Sequence, residues 1–185
     1  SFDGGDAYRF KKTFPAARVV TVEADPTRYK IVKDTLMGED IETFNCAACA
    51  IDAEIDWYTS TIDGEIHAQG SIYQHSGAYK KRFPTVKQTS EPCKVLGRRF
   101  DTFAKEQEIN QIDLLHMDIE GAEYDVVPHL LREKVADLID ELFLEIHTET
   151  NTCCKPPNDA GRHRPDAMRL LQSLRDAGVY AHEWL

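Results

Sequence analysis

Asp118, Glu120 and Glu123 place three carboxylates within six residues, directly after the apolar run Ile112-Asp113-Leu114-Leu115-His116-Met117. A carboxylate at the end of a strand can take a proton from a hydroxyl, orient that hydroxyl, or hold a hard cation. An apolar run of this length, closed by the turn residue Gly121, reads as a buried strand. In open α/β sheets, ligands bind just beyond the carboxyl ends of such strands. Two other runs finish the same way. Arg18-Val19-Val20-Thr21-Val22 ends on Glu23, and Leu142-Phe143-Leu144 ends on Glu145, with His147 two residues on. If the three strands are parallel, their polar ends share one edge. Asp118, Glu145 and His147 are then the candidates for a base, and Asp118, Glu120 and Glu145 for ligands of Mg²⁺, which would lower the pKa of a bound hydroxyl. Each has a plainer reading. Asp118 can cap the following helix, Glu120 and Glu123 can be ordinary acids of its first turn, and His147 can be a hydrogen-bonded strand-end histidine.

Glu23 stands 18 residues after Gly5, at the close of the next strand. A carboxylate there can accept from both hydroxyls of a ribose, and glycines allow the backbone to approach a nucleoside closely. The candidate nucleoside site is therefore Ser1, Asp3, Gly4, Gly5 and Asp6 with Glu23 and Ala24. The sequence contains no G-x-G-x-x-G, which disfavours a dinucleotide.

These groups need elements to hold them. A helix is predicted over residues 7–14, before Pro15. Asp25-Pro26 pairs an N-cap with proline at the first helical position, opening a helix through Tyr29, Val32 and Leu36 that stops at Gly38. Strands are predicted over 41–50 and 55–60. Residues 63–91 lack periodicity and predict a long loop, placed to cover or select a substrate. An edge-type strand over 93–99 and a short helix over 102–108 precede the central strand, which leads into a helix over 122–131. Another strand lies within 138–147. Pro165-Asp166 opens a helix with Met168, Leu171 and Leu174 on one face, closed by Gly178, and a last strand covers 179–184. Strands alternating with helices predict an α/β fold, mainly parallel, with helices on both faces. The 185 residues make one domain.

A net charge of −10 argues against broad binding to nucleic acid or an anionic membrane. Lys80-Lys81-Arg82 and Arg98-Arg99 are small basic spots that read as solvated faces. No apolar stretch reaches the ~18 residues of a membrane span. Cys46 and Cys49 read as small apolar core residues rather than a zinc knuckle. Cys153 and Cys154 lie in a polar loop and are open to oxidation where the compartment allows it.

Asp118-Ile119-Glu120-Gly121-Ala122-Glu123 after an apolar strand resembles the hallmark of FkbM-type methyltransferases. Val22-Glu23-Ala24-Asp25-Pro26 and Phe100-Asp101-Thr102-Phe103 are similar to two further motifs of that family. Residues 138–147, Cys153-Cys154, 173–179 and His182-Glu183-Trp184 resemble its plant and green-algal branch. The resemblance implies a class I, Rossmann-like methyltransferase fold, S-adenosylmethionine as donor, and a hydroxyl acceptor on a small molecule or glycan. It further implies the Golgi lumen, with any membrane contact made by a segment outside this chain. Members of the family begin with a strand that leads into the glycine loop, whereas residue 1 already lies in that loop; a missing first strand is the resulting expectation. Two rival readings are a non-catalytic module of a larger assembly and a metal-dependent hydrolase on Asp118, Glu120, Glu145 and His147. The hydrolase lacks an H-x-H or H-E-x-x-H pair.

Overall fold

The computed structural model describes residues 3–75, 77–147 and 164–184, without the side chains at 68, 69, 78, 164 and 165. Ser1, Cys153 and Cys154 lie outside the described residues. The chain is mixed α/β. Helix α1 (Gly5–Thr13) leads to strand β1 (Val19–Glu23), helix α2 (Pro26–Thr35) and strand β2 (Ile41–Asn45). Asp25 caps α2 as expected: its Oδ1 accepts from the N–H groups of Thr27 and Arg28 at 2.9 and 3.2 Å. Val32 of α2 and Leu36, the residue that ends it, pack with Ala7 of α1 against Val19 and Ile41, joining these two helices to the parallel β1–β2 pair.

The run 41–50 is not one strand. It breaks at Cys46 into β2 and β3 (Ala47–Cys49), which serve different sheets: β2 pairs with β1, β3 with β7 (Cys93–Arg99). At the break, the Asn45 side-chain N–H groups donate to the carbonyls of Glu23 and Ala24 at 2.8 and 3.1 Å, tying the end of β2 to the end of β1. Strand β7 is not an edge either, since it lies between β3 and β4 (Ala53–Ile62).

Residues 63–91 are not a long loop. Strand β4 turns at Asp63-Gly64, both at positive φ (51° and 87°), into the antiparallel strand β5 (Glu65–Ser71). Such a two-residue turn matches the twist of a hairpin. Helix α3 (Gly77–Arg82) and strand β6 (Val86–Gln88) follow, and β6 also pairs with β4. The order of this mixed sheet is β3-β7-β4-β5.

Helix α4 (Phe100–Glu106) leads to strand β8 (Ile112–Met117), helix α5 (Glu123–Arg132), a short 3-10 turn (Val135–Leu138) and strand β9 (Ile139–Glu145). Helix α6 (Arg164–Asp176) and strand β10 (Tyr180–Trp184) close the described chain. Strands β8, β9 and β10 form a wholly parallel sheet in the order β10-β9-β8. One face carries the largest core: Leu142 and Leu144 of β9 pack with Val126, Val127 and Leu130 of α5 and Leu171 and Leu174 of α6. The alternate residues show Phe143 in ring contact with His182 and Trp184, with Tyr180 and Trp184 exposed.

One sheet holding β1, β8 and β9 together is therefore not what the ladders form. The described strands fall into three sheets, and no ladder joins β1 to β8. Among the described residues, β1 pairs only with β2 and β8 only with β9. Among the described residues, no helix is long and apolar enough to cross a membrane.

Candidate active site

The turn after β8 aims the carboxylates. Glu120 and Gly121 both take positive φ, 49° and 101°. Glu120 adopts a conformation uncommon for a residue with a side chain, and Gly121 supplies one that others avoid. The Oγ–H of Ser71, at the end of β5, donates to the Glu120 carbonyl at 2.9 Å and holds the turn. Helix α5 begins at Glu123 with Ala122 as its N-cap and no side-chain cap bond. Asp118 is thus not the helix cap; its side chain is 41% exposed at the strand end.

Four carboxylates converge on His147. Its Nδ1 lies 3.0 Å from Oε1 of Glu123, an oxygen that also accepts from the backbone N–H of Gly121 at 3.1 Å. Its Nε2 faces Oε2 of Glu120 at 3.3 Å, Oε1 of Glu145 at 3.7 Å and Oδ1 of Asp118 at 3.8 Å. His147 and Glu123 are buried, Glu123 completely. Burial alone would lower the imidazole pKa. The bond to Glu123 and the charges of Glu123, Glu120 and Asp118 outweigh it and push His147 up to about 10. Burial and the charge of Asp118 lift Glu145 above the ordinary carboxylate value, against the pull of His147.

Glu123 was legible only as a first-turn acid. The sequence reads Glu120 and Glu123 alike as first-turn acids, although α5 begins only at Glu123, and nothing in the sequence pairs Glu123 with a residue 24 positions on. Within the cluster lie Asp118, Glu145 and His147, the three predicted base candidates, and Glu120, the third predicted metal ligand.

One cleft leads from this cluster to the end of β1. Glu23, Ala24, Asp25 and Arg28 line one part of it, Cys46, Trp57 and Ile72 another, and Asp118 and Glu120 a third. Glu23 is buried, with Oε1 accepting from the Asp25 N–H at 2.9 Å, and burial raises its pKa. Burial also lowers that of Arg28, against the charges of Glu23 and Asp25. Asp25 does more than cap a helix. Its Oδ2 accepts from Thr59 Oγ1 at 2.6 Å and from Trp57 Nε1 at 3.2 Å, tying β4 across the cleft to the end of β1. The capping signal gave no hint of this second role.

Among the described residues of the predicted glycine loop, Asp3, Gly4, Gly5 and Asp6 do not line the cleft. Gly4 packs against Leu36, where an added Cβ would come within 3.0 Å of Cγ. Asp3 Oδ1 accepts from the Gly5 N–H at 2.8 Å, and Asp6 pairs with Arg9. Cys46 and Cys49 are buried free thiols, as expected, with Cys46 pushed up to about 11 by burial.

A cleft that reaches Asp118 and Glu120 of the carboxylate cluster suits transfer chemistry, and comparison with known proteins agrees. Residues 3–178 match the Methyltransferase FkbM domain. The chain is also 33% identical over 133 residues to the 2-O-methyltransferase NoeI of Sinorhizobium fredii (strain NBRC 101917 / NGR234). That match covers 68% of this chain and 52% of the relative, so the chain spans about half the length of the curated protein it matches. No solved structure matches significantly. The chain belongs to the FkbM methyltransferase domain family.

Proposed function

We propose that this chain transfers a methyl group from S-adenosylmethionine to a hydroxyl of a carbohydrate. One observation carries the reading. A single cleft joins Glu23 and Ala24, at the end of β1, to Asp118 and Glu120, which stand beside His147. A donor bound along it would have its ribose at Glu23 and its sulfonium toward Asp118. The relative's name, a 2-O-methyltransferase, supports a hydroxyl acceptor, and a Rossmann-like arrangement fits the parallel β1–β2 and β8–β9–β10 sheets.

The chemistry asks for alignment and a proton acceptor. The acceptor oxygen must approach the methyl carbon in line with the C–S bond. As the O–C bond forms, the C–S pair leaves with sulfur, giving a neutral thioether, and the hydroxyl proton passes to a basic group at the cluster. Asp118 and Glu145 are the exposed members that can receive or orient it; Glu123 holds the His147 ring behind them.

Transfer of labelled methyl from S-adenosylmethionine to a panel of sugars tests the reading. Asp118→Asn should keep the fold, because Asp118 is half-exposed and caps no helix. It should lower the rate by 10²-fold or more, the scale of a lost acid–base group. A folded, fully active variant would remove Asp118 from the mechanism.

A further inference from the structure

The hairpin of β4 and β5 is tied to both ends of the cleft. Trp57 and Thr59 of β4 donate to Oδ2 of Asp25, beside Glu23, and Ser71 of β5 donates to the Glu120 carbonyl. The pairing slips between these ties. Tyr58 stands opposite Ser71 and Ser60 opposite His67, so β5 carries more residues than β4 over the same stretch. A bulge of this kind re-aims side chains and is common beside active sites. Here both His67 and Gly70 line the cleft. At Gly70 an added Cβ would lie 2.8 Å from Cζ2 of Trp57, so the backbone of β5 rests against the indole. Across the sheet the lining passes from Ala47 on β3, which packs with Ala24, to Trp57 on β4 and then to His67 on β5. With β5 bonded to the Glu120 turn, His67 belongs to the Asp118 and Glu120 side of the cleft. Its ring carries an unmade bond. The residue is half-buried, yet Nδ1 is fully buried and has no hydrogen-bond partner. Buried polar atoms are nearly always bonded, and exceptions gather at functional sites. A neutral imidazole carries one proton. On Nδ1 it would make an orphaned buried N–H, the rarer of the two omissions. The proton therefore sits on Nε2, and the ring offers the cleft an N–H donor.

We propose that His67 is a recognition residue for the methyl acceptor: its Nε2–H donates to a sugar hydroxyl next to the one that is methylated. The inference rests on the O-methyl transfer reading and names a residue that selects its substrate. A hydroxyl oxygen accepts from an N–H while its own proton stays free for a carboxylate, and Asp118 and Glu120 line the same cleft. The sulfonium of the donor is positive and repels the positive end of an N–H dipole, so His67 does not serve that group. With its proton on Nε2, the ring turns no lone pair to the cleft and does not take the proton of the reacting hydroxyl. His67 positions the acceptor, and the carboxylates receive the proton. A sugar epimer whose hydroxyl points elsewhere forfeits the bond and leaves the N–H unpaired, so one directed donor separates sugars of equal size.

Long-range ¹H–¹⁵N NMR of the full chain reads the tautomer, with the His67 signal identified by its loss in His67→Gln and His67→Leu. Nε2 should carry the proton; a proton on Nδ1 instead overturns the proposal. Methyl α-D-glucopyranoside, methyl α-D-galactopyranoside and methyl α-D-mannopyranoside are then titrated into the chain, with and without S-adenosylhomocysteine. At least one should shift the His67 signal. That glycoside should bind His67→Leu about five- to tenfold more weakly, the scale of one lost neutral hydrogen bond. His67→Gln, whose amide N–H reaches about as far as Nε2, should recover most of the loss. S-adenosylmethionine, titrated by calorimetry, should bind the wild type and His67→Leu alike. Circular dichroism confirms that each variant is folded; if His67→Leu is not, the tautomer and the wild-type shift decide. No shift by any of the three glycosides, equal glycoside binding by His67→Leu, or S-adenosylmethionine weakened in that variant overturns the proposal. If S-adenosylmethionine binds while no glycoside reaches His67, the transferase reading survives and this contact falls. If a glycoside binds through His67 and S-adenosylmethionine does not bind, the contact stands and the transferase reading falls.

Discussion

A carboxylate with no exposed surface, held by an imidazole and a backbone N–H, is a costly group to place in a core, and Glu123 is such a group. Removing one partner of a buried charged pair leaves the other uncompensated. In metal-free buffer Glu123→Ala should therefore cost about 3 kcal/mol of unfolding free energy. Glu123→Gln keeps the volume and an acceptor for Nδ1–H and should cost roughly half of that or less. Urea unfolding of the two variants checks this, and equal losses would show that packing rather than charge holds the pair. At this scale Asp118, Glu120, Glu145 and His147 were legible, because a strand end aims its residues regardless of what packs around it. The pairing of Glu123 with His147 was not, since it depends on how α5 lies against the end of β9.

The same distinction holds for elements. Asp101 opens α4, yet its partners are Arg99 and His129, the latter buried in α5 and holding Arg132 at Nδ1. Arg132 donates to Nδ1, so Nε2–H donates to Asp101. The bond from Arg99, then that from His129, hold the Asp101 carboxyl down at about 2 against the opposing effect of burial. A folded pKa below the unfolded value means that the folded state binds fewer protons. The stabilisation is whole above about pH 4 and fades as pH falls toward 2. After discounting for solvent, it amounts to about 1 kcal/mol. The stability gap between wild type and Asp101→Asn should therefore be larger at pH 6 than at pH 3; a gap constant across that range would show that the clamp is not ionic. Helices with caps were readable, α2 above all. Strands β5 and β6 were not, because their Gly, Ser, Gln and His residues carry no apolar alternation. They persist through pairing with β4, which local sequence cannot supply.

At the scale of the molecule, a donor lying along the cleft would touch β1, β3, β4 and the turn after β8, and so bridge all three sheets. A ligand at about 100 times its dissociation constant adds about 2.7 kcal/mol. For a chain of this size that corresponds to a rise in melting temperature of about 5–10 °C. S-adenosylmethionine should produce such a shift. Glu23→Ala should remove much of it, by weakening binding by ~1–3 kcal/mol; an unchanged shift would show that Glu23 does not hold the donor. The sequence by itself determined the alternating elements, the capped α2 and the chemical types at the strand ends, because periodicity, caps and turn residues act over a few positions. Only the tertiary structure decided that β2 and β3 part company at Cys46, that β7 is internal, and that four carboxylates close on one imidazole. Those outcomes depend on which backbone groups find partners and which charges can be buried together, and such choices are made between residues far apart in the chain.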